Sequence, residues 1–300
     1  MPSLFKSQDS KYFLKTAFKV SSVPLITTLL LAYSLWMYVE LNYSFFLANG
    51  FASGPEMKEA FWDNILMEQV DYLPFLGIFF IGVFFLGLFL AHLVLRPFTY
   101  VRNMCQDILK GEPVDAENGF LNAKKLVVKA AMVFFDYLSK QDKSTNDDEF
   151  DFPKDLEKIQ SPKPDGVFYL QYGVFMLILS VITILATTFT LHHLHESLVE
   201  VAIKMLKPST SLNVFLTSQQ DHLFTIAAVI TVLTIFLYSS LARGIIREVE
   251  GVSYSYLRDI RDITCGDHTR RLRPRFQDPG QEAAFAINQV MNLFFPEAHK

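Results

Sequence analysis

The sequence predicts an all-α membrane protein: four transmembrane helices with two cytoplasmic helix–connector–helix segments. Three observations carry this. Hydrophobic residues make up 51% of the chain, with 29 Phe, a share high for a soluble protein and ordinary for a membrane one. Four apolar runs reach bilayer length, which takes roughly 20 residues at about 1.5 Å each. After the second and fourth runs, apolar residues recur at helical spacing up to a glycine. The net charge of −4 is small and selects no class of partner. Cys105 and Cys265 lie outside the runs and form no CxxC pair, so neither a disulfide framework nor a zinc site is expected.

The runs are 20–39, 72–95, 166–191 and 223–241, and none contains Asp, Glu, Lys or Arg. The first is too long and too far from Met1 for a usual signal peptide, so it reads as an uncleaved anchor. Lys6, Lys11, Lys15 and Lys19 precede it, whereas the loop 40–71 carries Lys58 against Glu40, Glu56, Glu59, Asp63, Glu68 and Asp71. Arg96 and Arg102 follow the second run, and Arg243 and Arg247 the fourth. Cations gather on the inner side, so both termini are expected in the cytoplasm. Trp36, Tyr38 and Tyr72 stand where an aromatic belt belongs.

The order span, outer loop, span, cytoplasmic segment occurs twice. The expected divisions are a first hairpin with its N-terminal segment (1–95), a helical segment (96–140), an acidic flexible linker (141–165), a second hairpin (166–241) and a C-terminal helical segment (242–300). The linker is polar and proline-bearing, a composition that predicts mobility, and its acids Asp147, Asp148, Glu149 and Asp151 read as solvated.

In the last segment Ile245, Val249, Val252, Tyr256, Ile260 and Ile263 mark a coiled-coil seam. Gly266 is placed to end that helix. The stretch after it keeps Leu272 and Phe276 as apolar anchors. Asp278 then reads as the cap of a new helix with Pro279 at its first position. Ala284, Ile287, Met291 and Phe294 form its seam. The first segment carries a fainter version: Arg96-Pro97, then Gly111-Glu112, with Met104 or Cys105 and Ile108 before the glycine. Leu126, Ala130, Val133 and Tyr137 follow its short acidic connector.

This pattern resembles the HAMP domain family, the membrane-proximal relay of bacterial receptors and kinases. Gly266-Asp267, Arg271-Leu272, Asp278 and Ile287-Asn288 match its spacing, and Pro97 with Gly111-Glu112 matches part of it. Pro279 stands where the family usually has Glu, Ile287 where it has Phe, and Val252 where it has an early proline. The resemblance implies a parallel four-helix bundle that shifts its packing when the transmembrane helices move. With two such segments on one chain, an intramolecular pseudo-dimer is expected, with a homodimer as the other arrangement. It also implies a bacterial inner-membrane location. No kinase, cyclase or phosphatase length follows Phe295, so the expected function is a non-catalytic signal relay to a separate cytoplasmic or membrane protein. The alternative is an accessory subunit of a larger membrane complex such as a channel, motor or secretion machine. No cofactor is expected.

His192, His195 and Glu196 share a helix face by spacing, and His222 lies on the same side of the membrane. A zinc or copper site, a pH sensor and ordinary interfacial histidines all fit this pattern. Arg270, Arg271, Arg273 and Arg275 suit anionic headgroups or a partner's acidic face, or a solvated connector. Nucleic acid is not expected, because the patch is small and lacks a stacking platform. Gly77, Gly82 and Gly87 recur among phenylalanines in the second run and read as Phe–Gly interlocking inside the bundle. No Ser/His/Asp set or phosphate loop appears, and the runs carry no ionisable pair of the kind a proton or ion pathway needs.

Overall fold

The computed structural model describes residues 8–50, 58–59, 62–63, 73–111, 126–143, 151–162, 166–205, 210–275 and 278–296. The helices are α1 (Gln8–Ala48), α2 (Leu73–Lys110), α3 (Leu126–Lys143), α4 (Lys154–Glu157), α5 (Gly166–Met205), α6 (Thr210–Thr264) and α7 (Gln281–Phe294). Among the described residues there is no strand. Helices α1, α2, α5 and α6 are each long and apolar enough to cross a membrane.

Each expected span is only part of a longer helix. α1 has 41 residues and α6 has 55, about 60 and 80 Å at 1.5 Å per residue, against a hydrocarbon layer of about 30 Å. The runs end because charges begin, not because the backbone turns. α2 continues through Pro97 and α1 through Pro24, although each proline removes one helix donor.

The chain divides into two compact units, both assembled from separated stretches. The second unit comprises residues 18–86 and 173–241. Its core joins Tyr38, Val39 and Phe46 to Leu191, Leu194 and Leu198 of α5 and to Leu212, Leu216 and Leu223 of α6. Much of this seam lies beyond the apolar runs, in stretches expected to be outer loops. Mean hydropathy hides it because Glu196, Glu200 and Asp221 sit on the outer faces of the same turns. Lys58 pairs with Glu40 at 2.8 Å. Large apolar side chains such as Leu29, Ile78, Leu177 and Val232 stay exposed, as side chains turned to lipid would be.

The first unit comprises residues 1–17, 87–172 and 242–300. Its core draws Leu90, Val94, Phe98 and Cys105 from α2, Ala130 and Phe134 from α3, Tyr256, Ile260 and Ile263 from α6, and Ala284, Ile287 and Met291 from α7. At Gly87 an added Cβ would lie 2.7 Å from the Ala17 Cα, so the two helices touch through their backbones there. Gly77 and Gly82 face open space. The expected Phe–Gly interlocking therefore does not extend along α2, because a five-residue step rotates each glycine to a new face.

Most seam residues expected from spacing are buried, with one change of phase. In α3 the fully buried side chain is Phe134, while Val133 is half-buried. The aromatic ring takes the centre of the face because it covers more area. The stretch expected to be a mobile linker is anchored over residues 151–162: Leu156 and Phe152 are buried, and the Tyr254 hydroxyl donates to the Gln160 carbonyl at 2.7 Å. Asp147, Asp148 and Glu149 lie outside the described residues.

Candidate functional site

The last turn of α6 closes as a Schellman motif. The Asp267 N–H donates to the Asp262 carbonyl at 3.0 Å and the Gly266 N–H to Ile263 at 3.1 Å. This needs a left-handed residue, and Gly266 supplies it at φ 103°. The next turn is local. The Thr269 hydroxyl donates to the Asp267 carboxylate at 2.6 Å, and this bond holds that carboxyl below its usual range. Gly111 ends α2 at φ 75° with a similar tight bond, 3.0 Å from its N–H to the Ile108 carbonyl. Glu112 and Phe276 lie outside the described residues.

The connector is strapped to α7 by side-chain amides. The Leu272 N–H donates to Asn288 Oδ1, and Asn288 Nδ2 donates to the Leu272 carbonyl, both at 2.9 Å. Asn288 thus satisfies both backbone groups of a residue whose side chain is buried. Arg271 donates to Asn292 Oδ1 through Nε and Nη2 and to the His268 carbonyl at 2.7 Å. It is half-buried and structural, not a free surface cation. Arg270 pairs with Asp259 at 3.4 Å and Asp262 at 3.5 Å.

The start of α7 corrects the sequence expectation. The helix opens at Gln281 behind Gly280, which sits at φ 83°, and no side chain caps it. The Asp278 carboxylate instead accepts the Arg275 backbone N–H at 3.1 Å. The left-handed glycine turns the chain two residues after the aspartate, so Asp278 cannot reach the first free N–H groups of the helix.

Around Gly280 the two helix–connector–helix segments meet. The Tyr256 hydroxyl donates to the Gly280 carbonyl at 2.6 Å. The Phe98 ring stands edge-on to Tyr256, with centroids 5.6 Å apart. Arg102 of α2 pairs with Glu282 of α7 and lies 3.9 Å from Asp9. The Gly280 N–H donates to the Asp9 carboxylate. A second contact joins Tyr137 of α3 to the connector: its hydroxyl and His268 Nε2 are 2.7 Å apart. Phe295 stacks on that imidazole at 4.0 Å. Burial holds the His268 imidazole below its usual range, with Asp267 opposing. The sequence reading missed Asp9, Phe98, Arg102, His268 and Gly280. Their only signal is being aromatic, charged or glycine next to a seam.

Asp9 lies before the apolar run of α1. Burial, reinforced by Glu282 and opposed by Arg102, pushes its carboxyl up to about 6. A raised carboxyl pKa means that the folded protein holds the proton more tightly than the unfolded chain. Stability therefore falls as pH rises from about 4 to about 6, by at most about 2–3 kcal/mol. Asp9→Asn keeps an acceptor for Gly280 and should flatten this window. Thermal unfolding in detergent should show the variant more stable than the parent at pH 7.5 and equal to it near pH 4. A slope unchanged by the substitution would assign the window to another group.

The histidines are not gathered into one site. His192 Nε2 lies 3.3 Å from Glu196, and His195 Nδ1 lies 2.9 Å from the Tyr38 hydroxyl. His222 is exposed. Among the described residues no group of three His, Cys, Asp or Glu side chains is placed to hold a metal. Helical spacing aligns His192 with Glu196, but His195 turns toward α1 and finds its partner there. Arg273 and Arg275 are exposed.

Comparison with family models, curated proteins and solved structures gave no match.

Proposed function

We propose that the protein is a non-catalytic relay of a bacterial inner membrane, in which two HAMP-like segments pair within one chain and pass helix movement to a partner protein. The observation that carries this reading is continuity. α2 and α6 leave their apolar runs without a break and end at Gly111 and Gly266, each with a positive φ. Rotation or sliding of either span is thereby delivered to a connector. The contacts of Phe98 with Tyr256, Arg102 with Glu282 and Tyr137 with His268 support pairing within the chain.

The test places cysteines at Arg102 and Glu282 in a Cys105→Ser, Cys265→Ser background and bridges them with a short bis-maleimide. The expected product is an internally bridged monomer. Bridging confined to pairs of chains would sink the pseudo-dimer. One residue inserted after Leu241 turns the rest of α6 by about 100° and should change the bridging yield several-fold. An unchanged yield would remove the relay reading.

A further inference from the structure

Among the described residues one face of α6 forms the floor of a groove of about 600 Å³. Gly244 and Gly251 are a heptad apart and so lie on the same side of the helix. An added Cβ at either would meet nothing within 4 Å. The connector forms the far wall with Arg273, Pro274 and Arg275, and Arg247 and Arg258 stand on the α6 side. The groove begins just past the end of the fourth apolar run, at residue 241.

Its charges are unevenly engaged. The acids that line it already have partners: Asp259 is paired with Arg258 at 3.1 Å and with Arg270. Glu248 lies 3.8 Å from Lys15, and Asp278 accepts the Arg275 backbone N–H. Among the described residues no ion pair joins the guanidinium groups of Arg247, Arg273 or Arg275 to an acid. Arg247, Arg273 and Arg275 line the same groove, and planar guanidinium groups match the oxygens of a phosphate, which they can bind in bidentate fashion.

We infer that this groove binds a phosphate group, carried either by an anionic phospholipid whose headgroup dips below the bilayer surface or by a soluble phosphate ester. The glycines make room, Arg247 meets the group from the membrane side, and Arg273 and Arg275 close over it from the connector. The inference holds whether or not the relay reading does, since it needs only the groove and its charges.

The test uses the full chain in detergent with three probes: dioctanoyl phosphatidylglycerol, dioctanoyl phosphatidylcholine and inorganic pyrophosphate. Two variants separate charge from space. Arg273→Gln with Arg275→Gln removes two exposed cations. Gly251→Leu fills the groove and leaves every charge in place, and leucine favours a helix over glycine. Saturable binding of phosphatidylglycerol over phosphatidylcholine, weakened about tenfold or more in both variants, is the expected result. If pyrophosphate binds with the same dependence on both variants, the source is a soluble phosphate; if it does not, the source is the lipid. The inference is overturned if neither anion binds above phosphatidylcholine, or if either variant binds as the parent does.

Discussion

Gly280→Ala is expected to destabilise the first unit by about 3 kcal/mol, combining about 1–2 for a left-handed alanine with about 1–3 for overpacking. The Gly280 φ is 83°, and an added Cβ would lie 2.2 Å from the Phe98 ring. Relief requires the ring to move, and Phe98 is fully buried against Tyr256. Backbone movement would instead break the Tyr256 bond to the Gly280 carbonyl. Because Cys105 is buried in the same unit and Cys265 is exposed, Cys105 labelling in a Cys265→Ser background reports the loss. Phe98→Ala should itself cost about 3–5 kcal/mol. The double variant should cost clearly less than the sum, since removing the ring removes the clash. Strict additivity would show that the alanine acts only through φ.

Asn288→Asp is expected to cost about 3 kcal/mol, because it leaves a backbone carbonyl without its donor and faces it with a carboxylate. Asn288 both accepts from and donates to the Leu272 backbone. An aspartate can accept from the N–H but, once ionised, cannot donate to the carbonyl. Asn288→Ala loses both bonds without adding repulsion and should cost about 2 kcal/mol. The order Asp worse than Ala, read by thermal unfolding at pH 7.5, distinguishes the strap from simple packing. The reverse order would show that the amide's donor does not matter. Below the carboxyl pKa the aspartate regains a proton to donate, so the gap should narrow as pH falls.

Much of the helical architecture can be read from periodicity. The four apolar runs, the seam from Ile245 to Ile263 and the glycine stop at Gly266 are local patterns with local causes. A bilayer-length run without charge has few alternatives, and a left-handed glycine after a seam ends a helix. Leu272 stood out as an apolar anchor and Asn288 through the family resemblance, although neither says anything of the paired bonds between them. Asp278 shows where local reasoning fails. An Asp-Pro pair is a good helix start by propensity, yet the chain begins the helix at Gln281 because Gly280 must present its backbone to Asp9, Tyr256 and Phe98. The seam of Leu194, Leu198 and Leu212 was hidden by charges on the exposed side of the same turns.

The chain's own order thus settled how many helices can cross a membrane and where two of the long ones stop, since these depend on hydrophobic length and on residues a few positions apart. Tertiary structure alone decided how far those helices run past the apolar stretches and which residues do the joining. Asp9, Arg102 and Glu282, or Tyr137 and His268, lie far apart along the chain. Their contact exists because burying two apolar seams against each other brings them together. No local signal encodes it: a charged or aromatic side chain beside a seam looks the same in sequence whether it faces water or a partner helix.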